Sequence, residues 1–126
     1  MTFGIDMIKL LIYLFLFNIS LYGNDMFNEN KKSCEKGSLI SCVDLGIMYF
    51  TSDGVEEDLK KSEDLFIKAC RGRVANGCFY LGYLYKRGGN GIKKDKRKAK
   101  LAFGRACNIG SEKSCIQFRQ LQAKGI

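Results

Sequence analysis

The sequence predicts an all-α protein, a short α/α solenoid of helix pairs that is stapled by disulfides and contains five to six helices. Three observations predict this class. The 126-residue chain contains no proline, and its leucine, lysine, glutamate and alanine content favours helix. Six cysteines fall into pairs with an internal spacing of eight residues. The pairs recur after 36 and then 37 residues, a period typical of repeat proteins.

Two complete copies of the repeat can be aligned when their cysteines are matched to each other. One extra residue in the second copy falls in a glycine-rich stretch, where a loop tolerates an insertion. The predicted boundaries are a half copy over 24–37, copies over 38–73 and 74–110, and a capping half copy over 111–126. The matched columns include Leu45/Leu81, Gly46/Gly82, Tyr49/Tyr85, Asp58/Asp95, Phe66/Phe103 and Ala69/Ala106.

Each copy is predicted to form two helices around that loop. In the first helix, the cysteine, leucine, glycine and tyrosine follow the spacing i, i+3, i+4, i+7, which places them on one helical face. The glycine lets a second helix approach closely, at a cost of about 1 kcal/mol in helix propensity. Asp58 and Asp95 stand where the second helix begins and are expected to be its N-caps.

The paired cysteines are predicted to form three local disulfides, Cys34–Cys42, Cys70–Cys78 and Cys107–Cys115. Residues eight apart in one helix are separated by about 12 Å, whereas a disulfide needs Cα atoms within about 7 Å. The chain must therefore reverse between the two cysteines. Gly37 and Gly110 suit a left-handed helix end at this reversal. In the middle pair Arg73 occupies that column, and Gly72 or Gly77 is expected to substitute.

Two alternatives to the disulfides remain at this point. The thiols stay reduced if the protein is not exported. A zinc site of four cysteines is the other alternative, although the C-x₂₋₄-C spacing of zinc knuckles is absent. We therefore predict no metal site.

Residues 1–23 are predicted to be a signal peptide. Residues 10–17 read LLIYLFLF, an apolar run shorter than the ~20 residues that span a bilayer as helix. Cleavage is expected after Gly23, and Met7 is an alternative start to Met1 because it leaves a cleaner basic segment. The alternatives are an uncleaved anchor or a buried helix. The sequence thus predicts a secreted or periplasmic protein, with membrane contact only through this segment.

The cysteine pairs, the Leu-Gly-x-Leu-Tyr segment and the Gly-Gly-x-Gly-Ile-Lys-Lys-Asp loop together resemble the Sel-one-like repeat, a relative of the tetratricopeptide repeat. The cysteine spacing is similar to that of its disulfide-stapled branch, the Helicobacter cysteine-rich (Hcp) proteins. The resemblance covers residues 34–126. It departs in the third copy, where Arg119 replaces the helix glycine and Gln122 the tyrosine, as expected of a cap. It implies binding of penicillin-type β-lactams and slow hydrolysis of the lactam ring.

The residues themselves do not identify a catalytic group. The chain has no histidine, which excludes Ser-His-Asp and Cys-His nucleophiles and zinc sites with histidine ligands. Ser33 and Lys36 match the S-x-x-K motif of serine β-lactamases, but S-D-N and K-T-G are absent. One chance match to S-x-x-K is expected in this composition. We predict no cofactor, and hydrolase activity rests on the resemblance alone.

The alternative function is a non-catalytic scaffold for protein–protein interaction in the cell envelope or secreted fraction, which the solenoid architecture favours. Its expected ligand is a protein or peptide, or else a β-lactam or cell-wall-related small molecule. Tyr80 and Tyr83 are the expected anchors, unless they pack against neighbouring helices. The candidate partner-binding residues flank the core stripe of the first helices: Asp44, Ile47, Tyr80, Tyr83, Gln117 and Gln120.

Charge is unevenly divided along the chain, whose net charge is +8. Residues 24–73 carry eight basic and ten acidic side chains, and residues 74–126 carry twelve and two. Residues 93–100, KKDKRKAK, concentrate the positive charge. This basic run is expected to meet anionic lipid, cell-wall polymers or an acidic protein, or else to be a solvated loop and helix start. Nucleic acid is not an expected partner, because no stacking motif accompanies the basic run. A monomer is expected.

Overall fold

Six α-helices joined by short turns and loops make up the computed structural model. It describes residues 3–126, apart from the side chains of residues 3 and 20–23. Each helix packs against the next one in the chain, and α2 also contacts α4. The predicted all-α solenoid is confirmed over the described residues. The helices are α1 (Phe3–Glu35), α2 (Leu39–Thr51), α3 (Leu59–Arg71), α4 (Ala75–Arg87), α5 (Lys96–Ile109) and α6 (Glu112–Ala123).

Three turns of the same construction connect α1 to α2, α3 to α4, and α5 to α6. In each turn the sixth amide donates to the first carbonyl, and the fifth amide donates to the second carbonyl. These two hydrogen bonds define the Schellman motif, which ends a helix with a residue in the left-handed conformation. The sixth-to-first bonds are Ser38 to Ser33 at 3.1 Å, Val74 to Ala69 at 3.0 Å and Ser111 to Ala106 at 2.9 Å.

The left-handed residue of each turn lies three positions after the first cysteine. Gly37 and Gly110 hold this position with φ of 104° and 114°, as predicted. In the middle turn Arg73 itself is left-handed, with φ of 64°, while Gly72 has φ of −78°. The expectation that Gly72 or Gly77 would substitute is therefore wrong. Gly77 serves close packing instead, since a Cβ there would lie 2.9 Å from a backbone nitrogen of α3.

One disulfide staples the two helices at each Schellman turn. The three bonds are the predicted ones, and the described residues include no free cysteine. Each bond closes a loop of nine residues, for which the chain-entropy model gives a stabilisation of about 2.6 kcal/mol. The Cα separations are 4.7 Å for Cys34–Cys42, 4.5 Å for Cys70–Cys78 and 4.6 Å for Cys107–Cys115.

A glycine and a phenylalanine pack the two helices of each complete copy together. A Cβ added to Gly46 would lie 2.6 Å from the ring of Phe66, and one added to Gly82 would lie 2.8 Å from the ring of Phe103. Both rings are fully buried. The close helix approach that the sequence predicts is therefore present in both copies.

The loop inside each copy ends at a capping aspartate. The Asp58 carboxylate accepts a hydrogen bond from the Lys61 amide at 3.0 Å, and Asp95 caps α5 in the same way. The amides of both aspartates donate back to the tyrosine carbonyl of the preceding helix, Tyr49 at 3.1 Å and Tyr85 at 2.8 Å. The inserted residue therefore changes the loop without changing where the second helix begins.

The first helix, α1, is 33 residues long. Most of its described apolar side chains are exposed, but near its end Phe27 contacts Tyr49 of α2 with ring centroids 5.5 Å apart. By length and composition α1 is the one described helix that could cross a membrane, a test that signal sequences also pass. The predicted boundary after Gly23 falls inside this helix, so the signal peptide stays a prediction. Met1 lies outside the described residues.

We expect Gly82→Ala to lower the free energy of unfolding by about 1–3 kcal/mol, because the new methyl group overlaps the fully buried ring of Phe103. Urea denaturation of the oxidised protein measures the effect. The control is Arg119→Ala, which changes the matching column of the exposed cap and should shift stability by less than about 0.5 kcal/mol. Equal effects at the two positions would contradict the packing argument.

We expect Arg73→Gly to raise the free energy of unfolding by about 0.5–1 kcal/mol, because glycine adopts the left-handed conformation without the steric cost that other residues incur. Arg73→Ala is the matched control, since it removes the same charge and keeps the strain. Thermal denaturation should place the glycine variant above both the wild type and the alanine variant. A glycine variant no more stable than the alanine variant would refute the strain.

Candidate protein-binding surface

Exposed and half-buried side chains of α2, α4 and α6 form a surface that we term the first-helix face. It extends from Phe50 of α2 through Tyr83 of α4 to Lys113 of α6. At its centre Tyr83 of α4 remains 44% exposed, and its ring meets the ring of Phe50 of α2 at a centroid distance of 6.0 Å. The guanidinium of Arg87 lies over the same Phe50 ring at 4.8 Å. Two aromatic rings and one arginine thus bridge α2 and α4 at the surface.

The same face continues from α4 to α6. The Lys86 ammonium donates a hydrogen bond to the Gln117 side-chain oxygen at 2.9 Å. The Lys113 ammonium lies 4.0 Å from the ring centroid of Phe79, a cation–π distance. The first helices of three successive copies therefore present one connected surface of aromatic and cationic groups.

The candidate residues chosen from the sequence fall into two groups on these helices. Asp44 and Gln120 are exposed, whereas Ile47 is half-buried against the core. Tyr80 is also half-buried, and its ring stacks on the buried phenylalanine of α3 at 5.6 Å. Tyr83 is therefore the more accessible of the two expected anchors. A binding role for any of these residues stays a prediction.

Sequence reasoning did not single out Phe50, Lys86 or Arg87. Each lies three or four residues after a residue that it did single out, Ile47 for the first and Tyr83 for the other two. Residues with that spacing share one side of a helix. Extending the predicted stripe by one helical turn would therefore have found all three.

A buried carboxylate joins α3 to α4 and was not predicted. Glu63 accepts hydrogen bonds from the Tyr85 hydroxyl and from the Lys60 ammonium, both at 2.7 Å. Burial raises the pKa of the Glu63 carboxyl, but the two hydrogen bonds outweigh it and hold that pKa below its ordinary value. Burial and the same contact raise the pKa of the Tyr85 hydroxyl. The matching residue of the second copy is Lys100, so the alignment of the copies contained no signal for this contact.

Ser33 does not have the surroundings of a catalytic serine. Its Oγ accepts a hydrogen bond from the Ser41 hydroxyl at 2.9 Å, and the adjacent Cys34 is in a disulfide. Over residues 3–126 no hydrogen bond joins Ser33 to Lys36, and no group of three His, Cys, Asp or Glu residues is placed to hold a metal ion.

The family of the chain follows from its repeats. The Sel1 repeat matches residues 39–73 and 75–111, which is more than half of the chain and coincides with the pairs α2–α3 and α4–α5. The chain belongs to the Sel1 repeat family. The resemblance to Sel-one-like repeats is therefore confirmed, while membership of a β-lactamase branch is not.

Two solved structures are similar to this Sel1 repeat chain. Cysteine rich protein B of Helicobacter pylori is 36% identical, with a TM-score of 0.64, and the match covers 71% of this chain and 66% of that protein. A Sel1 repeat protein from Oxalobacter formigenes is 27% identical, with a TM-score of 0.74, and the match covers 82% and 42% of the two chains. Both support the same helix-pair solenoid.

Two curated proteins are also similar in sequence. Cytochrome c oxidase assembly factor 7 of Xenopus tropicalis and factor 7A of Xenopus laevis are each 35% identical to this chain over 101 residues, which is 75% of its length. The match covers 43% of either relative. The chain therefore spans about two fifths of the length of these curated relatives.

These relatives correct the predicted location. The expectation of a secreted or periplasmic protein is wrong, because the curated relatives are assembly factors of cytochrome c oxidase. The expectation rested on the apolar run and on the cysteines. Signal sequences, membrane helices and buried helices all contain apolar runs, and disulfides form in more than one compartment. Neither feature identifies a single location.

We expect Glu63→Gln to lower the free energy of unfolding by about 1–3 kcal/mol at neutral pH, since a charged hydrogen-bond acceptor is lost from a buried site. A carboxyl whose pKa is lowered on folding stabilises the folded state at pH values above its pKa in the unfolded chain. That stabilisation is lost as pH falls through the lowered pKa. The difference in free energy of unfolding between wild type and variant should therefore narrow below pH 4.5, the ordinary pKa of a glutamate carboxyl.

Urea denaturation at a series of pH values measures this gap. The control is Asp64→Asn, which removes a charge from the next position of the same helix, where the side chain is exposed. Its free energy of unfolding should stay close to that of the wild type at every pH. Parallel pH profiles for the wild type and Glu63→Gln would show that ionisation of the carboxyl contributes nothing to stability.

Proposed function

We propose that this Sel1 repeat chain is a non-catalytic scaffold that binds another protein through the first-helix face. The observation that carries the proposal is the surface cluster of the exposed Tyr83 and Arg87 with the half-buried Phe50, which bridges two successive copies. Tyrosine and arginine are enriched among the residues that dominate binding energy at interfaces. Stacked helix pairs commonly use such extended surfaces for binding.

The relatives support the general role. Two of them are named as assembly factors of cytochrome c oxidase, which supports a role in binding proteins over a role in hydrolysis. Because this chain spans about two fifths of their length, we extend to it the binding of a protein or peptide and not the identity of their partner. We further propose that residues 24–126 form the binding unit, with half copies at 24–37 and 111–126 as its ends.

Slow β-lactam hydrolysis is the less well supported function. It was implied by the resemblance to the Hcp proteins and by no residue. The environment of Ser33, described above, supplies neither a base nor an activated nucleophile. The scaffold proposal needs only the contacts that the first-helix face presents.

A photo-crosslinking amino acid at position 83 tests the scaffold proposal in cells that express the chain. We expect it to trap a defined protein, which mass spectrometry then identifies. With the purified pair, Tyr83→Ala should weaken binding by about tenfold or more, because an exposed aromatic anchor is lost. Its urea midpoint should match that of the wild type, whereas Tyr80→Ala should destabilise the fold, because that ring packs on the core.

The matched control is Met26→Ala, which trims an exposed apolar side chain of α1 outside the first-helix face. It should leave affinity for this partner unchanged. Equal losses for the Tyr83 and Met26 variants would contradict an assignment to the first-helix face. Repeated turnover of a penicillin by the oxidised protein, abolished by Ser33→Ala, would contradict a non-catalytic role.

A further inference from the structure

Two equivalent grooves lie between the second helices of successive copies. The first groove lies between α1 and α3 over α2, and the second between α3 and α5 over α4. Both have a leucine and a tyrosine of the first helix in their lining, and a lysine ammonium lies over the tyrosine ring in each. The matched groups are Leu45/Leu81, Tyr49/Tyr85 and Lys61/Lys98, with lysine-to-ring distances of 5.2 and 5.3 Å.

The two grooves differ in charge although their construction is the same. The first groove has lysines and carboxylates in its lining, including Glu35 and Asp64. One repeat further along the chain, the matching positions are Arg71 and Leu101. Because the fold forms the groove with either charge pattern, the basic character of the second groove is not a requirement of packing.

The second groove continues into an adjoining cavity of about 370 Å³. The two share Cys70 and Arg105 in their lining, and Arg71 and Arg73 complete what we term the arginine cluster. Over residues 3–126, the lining of these two cavities includes no carboxylate. The region therefore concentrates positive charge beside an apolar floor.

The arginine cluster takes part in no ion pair within the described residues. The two ion pairs found in residues 3–126 involve lysines instead. Lys60 pairs with Glu63 inside α3, and Lys61 pairs with Asp58, the residue that caps α3. Lys98 at the rim is close enough to Glu63 to lower the pKa of that carboxyl. The three arginines are all exposed and make no ion pair in residues 3–126.

The backbone conformation of Arg73 is a second observation that points to a function here, independent of the charge. It takes the left-handed position that glycine occupies in the two other Schellman turns. The left-handed conformation costs a residue with a Cβ about 1–2 kcal/mol. Residues held in such conformations cluster at functional sites, and Arg73 lines the cavity where the positive charge collects.

We propose that the second groove and the arginine cluster bind an acidic peptide segment that carries one apolar side chain. Its carboxylates pair with Arg71, Arg73 and Arg105, in the bidentate geometry that guanidinium and carboxylate groups favour. Its apolar side chain lies against Leu101, which is 70% exposed, and against the neighbouring Ala102. This extends the proposed function to a second surface, and it does not depend on the first-helix face.

The test uses the oxidised full chain and a short fluorescein-labelled peptide with one central leucine flanked by glutamates. Fluorescence anisotropy should show binding that weakens as NaCl rises, since exposed charges are screened. Arg71→Glu with Arg105→Glu should weaken binding by at least about tenfold. Arg73→Gly should weaken it by about threefold or more while raising the urea midpoint, so misfolding cannot account for the loss.

The controls separate the groove from general positive charge. Arg119→Glu reverses an exposed arginine of α6 outside both cavities and should leave affinity for the peptide nearly unchanged. Leu101→Ser should weaken the leucine peptide and leave an all-glutamate peptide unaffected. Tyr83→Ala should leave both peptides unaffected, so failure here is distinguishable from failure of the first-helix face.

Several outcomes would overturn the proposal. These are no binding of the peptide, equal losses for Arg119→Glu and the double charge reversal, or no effect of Arg73→Gly. Vesicles containing phosphatidylserine and a single-stranded oligonucleotide are measured in parallel. Binding of either one that depends on the arginine cluster, without binding of the peptide, would assign the surface to lipid or nucleic acid instead.

Discussion

The Schellman turn with its disulfide is the constraint on which the rest of this solenoid depends. It recurs three times with the same two backbone hydrogen bonds and nearly the same Cα separation across the disulfide. Because the turn fixes how one copy meets the next, the second helix of one copy and the first helix of the following copy always pack in the same way. The turn therefore also sets the distance between matching residues on the surfaces that span successive copies.

Within a copy the constraint is steric rather than covalent. Gly46 and Gly82 leave room for a buried phenylalanine ring, and the capping aspartate starts the second helix at a fixed point after the loop. These two features let the loop vary in length and composition. The copies therefore share a core while their exposed residues differ, as the mixed charge of the first groove and the basic charge of the second illustrate.

The features predictable from the sequence are those that repeat. The cysteine spacing, the helix glycines and the capping aspartates each appear twice or more, so their alignment predicted the helix pairs, the disulfides and the family. The features that were not predicted occur once. Glu63 has a lysine at its matching position, and Arg73 stands where two glycines suggested that a neighbouring glycine must act. Contacts across copies, such as that of Phe50 with Tyr83, depend on side-chain positions that a linear pattern does not specify.

The location was mispredicted for a different physical reason. An apolar run and a set of cysteines report hydrophobicity and redox chemistry, which several compartments share. The candidate binding residues lie on the first helices, as the repeat predicted, but the sequence could not distinguish a tyrosine that packs on the core, Tyr80, from one that stays accessible, Tyr83. Both have the same residue type and nearly the same position in the helix.

The even spacing of the cysteines also bears on how the oxidised protein forms. Six cysteines can pair in fifteen ways. In this chain every non-native disulfide would close a loop several times longer than a native one. The native partners are instead the nearest neighbours in the chain, each separated by eight residues, and short loops are the least costly to close. Each bond can thus form as its own turn folds, before any contact between distant copies exists. Oxidation then consolidates the array one turn at a time and leaves little for an isomerase to correct.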